Sequence, residues 1–412
     1  MIRTAGVIAA FYSKVLSNLY AWGWNGYGQL GDGTTVNRLT PQAIGSCTWK
    51  AIAGGGVSLI RAEMICVYGI CKDEAKHAKR FMESMAGVDQ VVLCDTGSTD
   101  GTPDILRSLG ATVHDISVSP WRFDLARNMA LSYVPADATI CISMDLDEVL
   151  LPDWREKLEQ AWTPETTMLR YPFIHNWEDE WQTIPRLSVW GFKIHSRHGY
   201  IWRYPIHETL VRTEPGECVT TCEHELIRHY PDTDKQERWS RIELLKQATE
   251  EYPDDQRCAH LYGRELWFHH RYEEAIVELK RHLAITDEYI EPGVDTDGIA
   301  QTRSTTCRMI AYCLNALKRD PNEIAVWLLR SLAENPSQRE PWIRLAQFWY
   351  AHGDYASAYA CANRGLAITD KLRSIEIEED CWEGAQALCD AARAQVMLEG
   401  VKFMEEELNA HR

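Results

Sequence analysis

Between residues 64 and 145 four apolar runs alternate with three amphipathic ones, and this alternation restricts the fold more than any other feature of the chain. The runs MICVYGIC (64–71), DQVVLCD (89–95), ATVHDI (111–116) and ATICISMD (138–145) read as buried strands. KDEAKHAKRFMESM, GTPDILRSLG and DLARNMALSYV read as the helices between them. Strand, helix, strand, helix predicts a mostly parallel sheet covered on both faces. Ligands of such sheets sit at the carboxyl ends of the strands.

Those ends carry acids. In VVLCDTGSTDGT (91–102), Asp95 follows its strand directly, and Gly97 and Gly101 let the backbone turn tightly and approach a ligand. A carboxylate there can accept the imide N–H of a pyrimidine base or a ribose hydroxyl. Ser98, Thr99 and Asp100 are equally suited to the ordinary task of capping the next helix. In SMDLDEVL (143–150), Asp145 and Asp147 follow the strand ATICI and, in an extended chain, project to one side. Two such carboxylates repel unless a cation sits between them, which suits Mg²⁺ or Mn²⁺ holding a diphosphate; the plain alternative is a solvated loop or a pair of capping acids.

The rest of the chain divides around this region. Its 412 residues allow two or three domains, and a formal net charge of −17 argues against a protein built to coat nucleic acid. The 13 cysteines show no paired CxxC spacing and are expected to be reduced and mostly packing. AGVIAAFY near the start is too short to span a membrane, so no span is expected and a cytoplasmic location follows. Residues 1–62 contain AWGWNGYGQLGDGTTVNRLTPQAIG, whose glycines and aromatics predict tight turns between short strands. This stretch resembles one repeat of a regulator-of-chromosome-condensation type propeller, a unit that cannot bury its own face without neighbours. It is read as a short β-rich appendage or remnant, with a docking or adhesion module as the sharper alternative. From residue 236 the chain is expected to be all α. CAHLYGRELWFHHRYEEAIVELKRHLAITD (258–287) and PWIRLAQFWYAHGDYASAYACANRGLAITD (341–370) align without a gap, Tyr272 on Tyr355 and Ala275 on Ala358, with a degenerate unit between them. These units resemble tetratricopeptide repeats, whose usual task is binding a peptide or another subunit.

Taken together, ICKDEA (70–75), VVLCDTGSTDGT, WRFDLARNMAL (121–131) and ISMDLDEVL (142–150) resemble a family 2 glycosyltransferase. The resemblance implies an α/β GT-A fold, the Rossmann-like sheet of nucleotide-diphospho-sugar transferases. It implies that Asp95 contacts the nucleotide base, that Glu74, Ser98 and Asp100 help line that pocket, and that Arg127 and Asn128 border the donor site. Arg127 has a mundane alternative, pairing with Asp124 one turn earlier. Asp145 and Asp147 correspond to the family's DxD metal motif. GYIWRYPIHETLVR (199–212) and ELIRHYPDTDKQERW (225–239) resemble the subgroup with helical repeats, which makes His207 and Glu208 active-site candidates and His229 a third metal ligand beside the two acids. Glu208 is the expected base for the acceptor proton, and Asp179 in NWEDEW is its competitor. Tryptophans 177, 181, 190 and 202 offer stacking faces for a sugar, although core packing is their commoner fate.

The sequence thus predicts an appendage (1–62), a catalytic domain (63–235) and a helical domain (236–412). The expected activity is inverting, metal-dependent transfer of a hexosyl group from a nucleotide-diphosphate sugar, UDP-linked by preference, to a glycan, lipid-linked glycan or peptide. The helices would bind a protein partner or a second copy of the chain. The rivals are a catalytically inactive repeat scaffold and an adhesion-type structural protein. Against the first stand the acids at 95, 145 and 147, because an inactive site has no chemical reason to keep a repulsive pair.

Overall fold

A computed structural model describes residues 11–12, 19–23, 34–43, 49–52, 59–61, 63–177, 185–230, 241–288, 296–369 and 380–410. At the N-terminal end, β1 (Phe11–Tyr12), β2 (Leu19–Gly23) and β3 (Arg38–Ala43) form an antiparallel sheet, and β4 (Trp49–Ile52) pairs with β5 (Leu59–Arg61). The region is β-rich, as its turn residues predict.

The alternating region folds as β6 (Ile65–Cys71), α1 (Ala75–Ser84), β7 (Gln90–Asp95), α2 (Thr102–Ser108), β8 (Thr112–Asp115), α3 (Phe123–Tyr133) and β9 (Ile140–Ser143). It continues through β10 (Glu148–Leu150), α4 (Trp154–Ala161), β11 (Met168–Trp177), β12 (Pro185–Ser196), β13 (Tyr200–Arg203), β14 (Thr209–Arg212), β15 (Val219–Thr221) and β16 (Ile227–His229). Seven strands share one sheet in the order β15-β11-β12-β9-β6-β7-β8. β6, β7, β8 and β9 run parallel, and only β12 is reversed relative to its neighbours β9 and β11. Strand order turns back on itself at β6 and β9, so a crevice opens at their carboxyl ends.

Both faces of the sheet are covered, which is why β6 is buried along its whole length. Ile65 and Val67 pack on one face with Phe81, Leu106 and Leu158, and Cys66 and Tyr68 on the other with Ala126, Ala130 and Trp202. Gly69 marks the tightest point: a Cβ there would collide with the Met144 carbonyl oxygen, so the strand and the turn after β9 meet only because the side chain is absent. Of the 13 cysteines, the 12 described ones are free and mostly buried; burial pushes the Cys66 and Cys94 thiols up to about 12, which leaves them unreactive packing groups.

The helical region comprises α5 (Arg241–Glu251), α6 (Gln256–Phe268), α7 (Tyr272–Glu288), α8 (Thr296–Ala316), α9 (Pro321–Glu334), α10 (Arg339–Ala351), α11 (Tyr355–Leu366), α12 (Asp380–Glu383) and α13 (Ala385–Ala410). The two aligned sequence units are α6–α7 and α10–α11. Small residues set the helix approach: Ala275 and Ala358 are fully buried, and a Cβ on Gly263 would press on the Leu279 side chain. Asp255, Asp320 and Asp354 cap α6, α9 and α11 through backbone N–H groups. Among the described residues no helix is long and apolar enough to cross a membrane.

Candidate active site

Asp95 ends β7 and is nearly fully buried. One carboxylate oxygen accepts from the backbone N–H groups of Gly97 (3.0 Å) and Ser98 (2.9 Å), and the other accepts from the Ser98 hydroxyl (2.5 Å). The loop after β7 is laced to the loop after β6. Ser98 Oγ accepts from Asp73 N–H at 2.8 Å, Asp73 Oδ1 accepts from Thr99 N–H at 2.6 Å, and Thr102 Oγ1 accepts from Glu74 N–H at 2.8 Å. Asp100 joins the first turns of both helices, accepting from Ala75 N–H at 3.0 Å and from Thr102 N–H and Oγ1 at 3.0 and 2.5 Å. Burial opposes its ionisation, but these donors prevail and hold its carboxyl below the usual range. Glu74 is buried beside them. Asp100 therefore acts as a brace between two loops, and Asp95 and Glu74 lie at the sheet edge it stiffens.

After β9 the chain departs from the extended geometry expected for the acid pair. Glu148 N–H bonds back to the Asp145 carbonyl at 3.0 Å, so residues 145–148 form a tight turn and the two aspartates meet different partners. Asp145 accepts from Arg127 Nη2 at 2.8 Å and from Lys193 Nζ at 3.1 Å. Lys193, on β12, also donates to the buried carboxylate of Glu148 at 2.5 Å, while the other Glu148 oxygen accepts from Asp145 N–H at 2.9 Å. Burial disfavours the charged form of Asp145, but the charges of Arg127 and Lys193 outweigh it and hold the carboxyl far below its ordinary value. Glu148 goes the other way, because burial and the neighbouring Asp145 charge exceed what Lys193 returns.

Arg127 is the hub. From α3 it donates through Nε to Glu208 Oε1 at 2.5 Å and through Nη2 to Asp145, with its guanidinium 5.1 Å from the centre of the Trp202 ring. It does not pair with Asp124, which is held by Arg122 at 2.8 Å. The Arg127 charge thus joins the DxD turn to the His-Glu pair on the turn between β13 and β14. Asn128, beside it, exchanges two 2.8 Å hydrogen bonds with the backbone of Trp202 and ties α3 to β13.

Asp147 faces the opposite way. Its Oδ2 lies 3.5 Å from His229 Nε2, and pairing of β10 with β16 sets Glu148 opposite His229. One carboxylate oxygen and one imidazole nitrogen at that separation are donor types that would suit a divalent cation such as Mn²⁺ or Mg²⁺. Asp145, with its carboxylate engaged by two cations, is not placed to join them, and among the described residues no group of three His, Cys, Asp or Glu forms a ready metal cage.

His207 adopts a left-handed backbone (φ 52°), and burial together with the charges of Arg264, Arg257 and Arg241 lowers its imidazole to about 4. Trp202 is a core residue, donating from Nε1 to Tyr68 at 2.8 Å, whereas Trp190 is 43% exposed and faces Arg170. Asp179 and Trp181 lie outside the described residues, as does the side chain of Trp177. The sequence reading gave no role to Lys193 or Glu148. A lysine inside the strand-like run VWGFKIH was the signal, because a charge there needs a partner.

Comparison with known proteins follows the same division. Residues 67–227 match the model described as glycosyl transferase family 2, and residues 17–57 match the regulator of chromosome condensation repeat. Over residues 67–227 the chain is thus similar to family 2 glycosyltransferases. The expected mostly parallel GT-A sheet, the helical repeats behind it and the β-rich start hold. A TPR repeat-containing protein of Synechococcus elongatus is 29% identical over 212 residues, 47% of this chain and 50% of its own length; the chain therefore spans about half of that relative. Two solved structures resemble it more loosely. "Functional Characterization of Pseudomonas Aeruginosa pilF" is 18% identical, with a TM-score of 0.26, over 41% of this chain and 72% of that one. "MamA MSR-1 C2" is 15% identical, with a TM-score of 0.24, over 31% and 64%. Similarity that low adds nothing to what the helices themselves show.

Proposed function

We propose that the chain is an inverting glycosyltransferase that moves a hexosyl group from a nucleotide-diphosphate sugar, UDP-linked by preference, to a hydroxyl of a glycan, lipid-linked glycan or peptide. The observation that carries the reading is the charge chain Asp145–Arg127–Glu208, which joins the acids at the switch point of the family 2 sheet to a carboxylate suited to proton abstraction. The assigned catalytic domain is 63–235, flanked by the appendage 1–62 and the helical domain 236–412.

In this mechanism Asp95 and Glu74, stiffened by Ser98 and Asp100, receive the nucleoside. Asp147 and His229 are the residues that would hold a divalent cation, and such a cation would offset the charge of a departing diphosphate. Arg127 supplies positive charge on the same side of the crevice. Glu208 presents one oxygen to Arg127 and accepts through the other from no described residue, so the free oxygen takes the acceptor proton as the hydroxyl attacks opposite the leaving nucleotide. His207, neutral at physiological pH, adds a polar wall beside it. Asn128 positions the Trp202 backbone beneath Arg127. The helical repeats would take a protein or peptide partner or a second chain, and the site would work in the cytoplasm. Donor hydrolysis tests the reading: Mn²⁺-dependent release of UDP from a UDP-hexose is expected from the parent, and its absence across UDP- and GDP-sugars would set the reading aside in favour of a repeat scaffold.

A further inference from the structure

Beneath Arg127 the core holds four polar groups where apolar ones would pack. Tyr68 on β6, Ser143 on β9 and His195 on β12 are fully buried, and Trp202 on β13 is nearly so. Three of them form a chain. The Trp202 indole N–H donates to the Tyr68 hydroxyl at 2.8 Å, Tyr68 Oη meets His195 Nε2 at 2.9 Å, and His195 Nδ1 meets the Ser196 carbonyl at 2.8 Å. Both ends have a fixed sense, since an indole N–H only donates and a carbonyl only accepts. His195 therefore carries its proton on Nδ1, and Tyr68 donates to Nε2 while its oxygen receives the indole. Every donor in the chain is used, and none of the bonds can be reversed.

The chain ends under the charge hub. Trp202 presents its ring to the Arg127 guanidinium, 5.1 Å away, and its backbone is held by Asn128, the next residue of α3. Ser143, paired with Tyr68 across β9 and β6, faces Arg127 Nη1 at 3.5 Å. The guanidinium thus has a ring and a hydroxyl fixed against it while Nε and Nη2 reach Glu208 and Asp145. Desolvating a phenol, an imidazole and an indole costs free energy that an all-apolar packing avoids. What a fully satisfied buried network supplies instead is one allowed arrangement, and charge-assisted bonds to two carboxylates need that precision.

We propose that the chain Ser196–His195–Tyr68–Trp202 is a positioning device for Arg127: by pinning the indole it sets the plane of the guanidinium, and through Arg127 the orientation of Glu208 and Asp145. Tyr68, His195 and Trp202 are positioning residues, acting through the arginine rather than on a substrate. The consequence for catalysis rests on the glycosyltransferase reading, whereas the pinning of Arg127 stands on its own geometry. It extends the site from the crevice down through β6, β9 and β12, the strands on which the acids themselves depend.

Side-chain hydrogen exchange in the full chain, isotopically labelled at arginine nitrogen and followed by NMR, tests the link without a substrate. The Arg127 Nε–H, assigned by its loss in Arg127→Lys, is expected to exchange slowly in the parent and about tenfold or more faster in Tyr68→Phe, which removes both bonds of the hydroxyl. The Arg303 Nε–H, held by Glu334 at 2.7 Å in the helical domain, is the internal reference and should keep its rate. His195→Gln, which can still accept from Tyr68, should lie closer to the parent than His195→Leu, which cannot. In Mn²⁺-dependent hydrolysis of a UDP-hexose, Tyr68→Phe should lower kcat by about tenfold or more with KM within about twofold of the parent. The proposal fails if Arg127 exchanges alike in the parent and in Tyr68→Phe, or if His195→Leu protects it as well as His195→Gln. It fails too if Arg303 speeds up alongside Arg127, which would mean general loosening, or if Arg127 loosens and kcat does not change. A parent that shows the link to Arg127 but hydrolyses no donor would sink the glycosyltransferase reading and leave the pinning of Arg127 standing.

Discussion

Lys193 holds two carboxylates with one ammonium, and that economy makes it sensitive to replacement. Lys193→Met leaves Asp145 and Glu148 facing each other with only Arg127 to offset them, and an uncompensated buried charge of this kind costs about 3 kcal/mol. Urea unfolding should show the loss, and an unchanged midpoint would mean the pair is hydrated. Glu208→Gln keeps the shape and removes the base, so turnover should fall by about 10²–10⁴-fold with donor binding retained. At this scale the sequence was legible where an acid sits in a turn after a strand: Asp95, Asp145 and Asp147 were named from their position. Lys193 comes from an element remote in sequence, and only the fold brings it to Asp145 and Glu148. The same holds for the partition of the two aspartates, since an extended backbone predicts one shared cation and the turn at 145–148 gives each its own neighbours, Arg127 and Lys193 for Asp145 and His229 for Asp147.

Among the elements, β12 carries the most information. It is the reversed strand, it delivers Lys193 to the site, and two residues on it buries His195, whose Nε2 meets the Tyr68 hydroxyl at 2.9 Å. Burial lowers that imidazole to about 4, against only partial relief from the Ser196 carbonyl. In the unfolded chain it titrates near 6.5, so between these values the unfolded state binds more protons and stability rises with pH. Stability is expected to drop as pH falls from 6.5 towards 4, and His195→Gln should reduce the slope between pH 5 and 6.5 by up to about 1.4 kcal/mol per pH unit. Denaturant titrations at several pH values measure this directly. Gly69→Ala should cost about 1–3 kcal/mol by pushing β6 off Met144. The parallel strands were legible because double burial leaves runs such as ICVYGIC without a polar face. β12 was not, because its polar residues answer to tertiary partners that local periodicity cannot report.

The whole molecule joins a mostly parallel sheet to a helical array at the short segment 204–208, and the candidate base sits on that segment. Ile206→Ala is therefore expected to loosen the junction and lower transfer while leaving UDP binding near its parental value; equal losses in both would mean that the junction supports the donor pocket too. The domain order was readable from the switch between apolar strand runs and gap-free helical repeats. The docking of the two was not, since Tyr204, Asp255 and Arg257 carry no signal until α6 is set against the β13–β14 turn. The measurement that tests the account most directly is Mn²⁺-dependent binding and slow hydrolysis of UDP-glucose, UDP-GlcNAc, UDP-galactose and GDP-mannose by the full chain beside Asp147→Ala. The account predicts metal-dependent binding of at least one donor in the parent and its loss in the variant. Donor binding that needs no metal, or that is equal in Asp147→Ala, would contradict it.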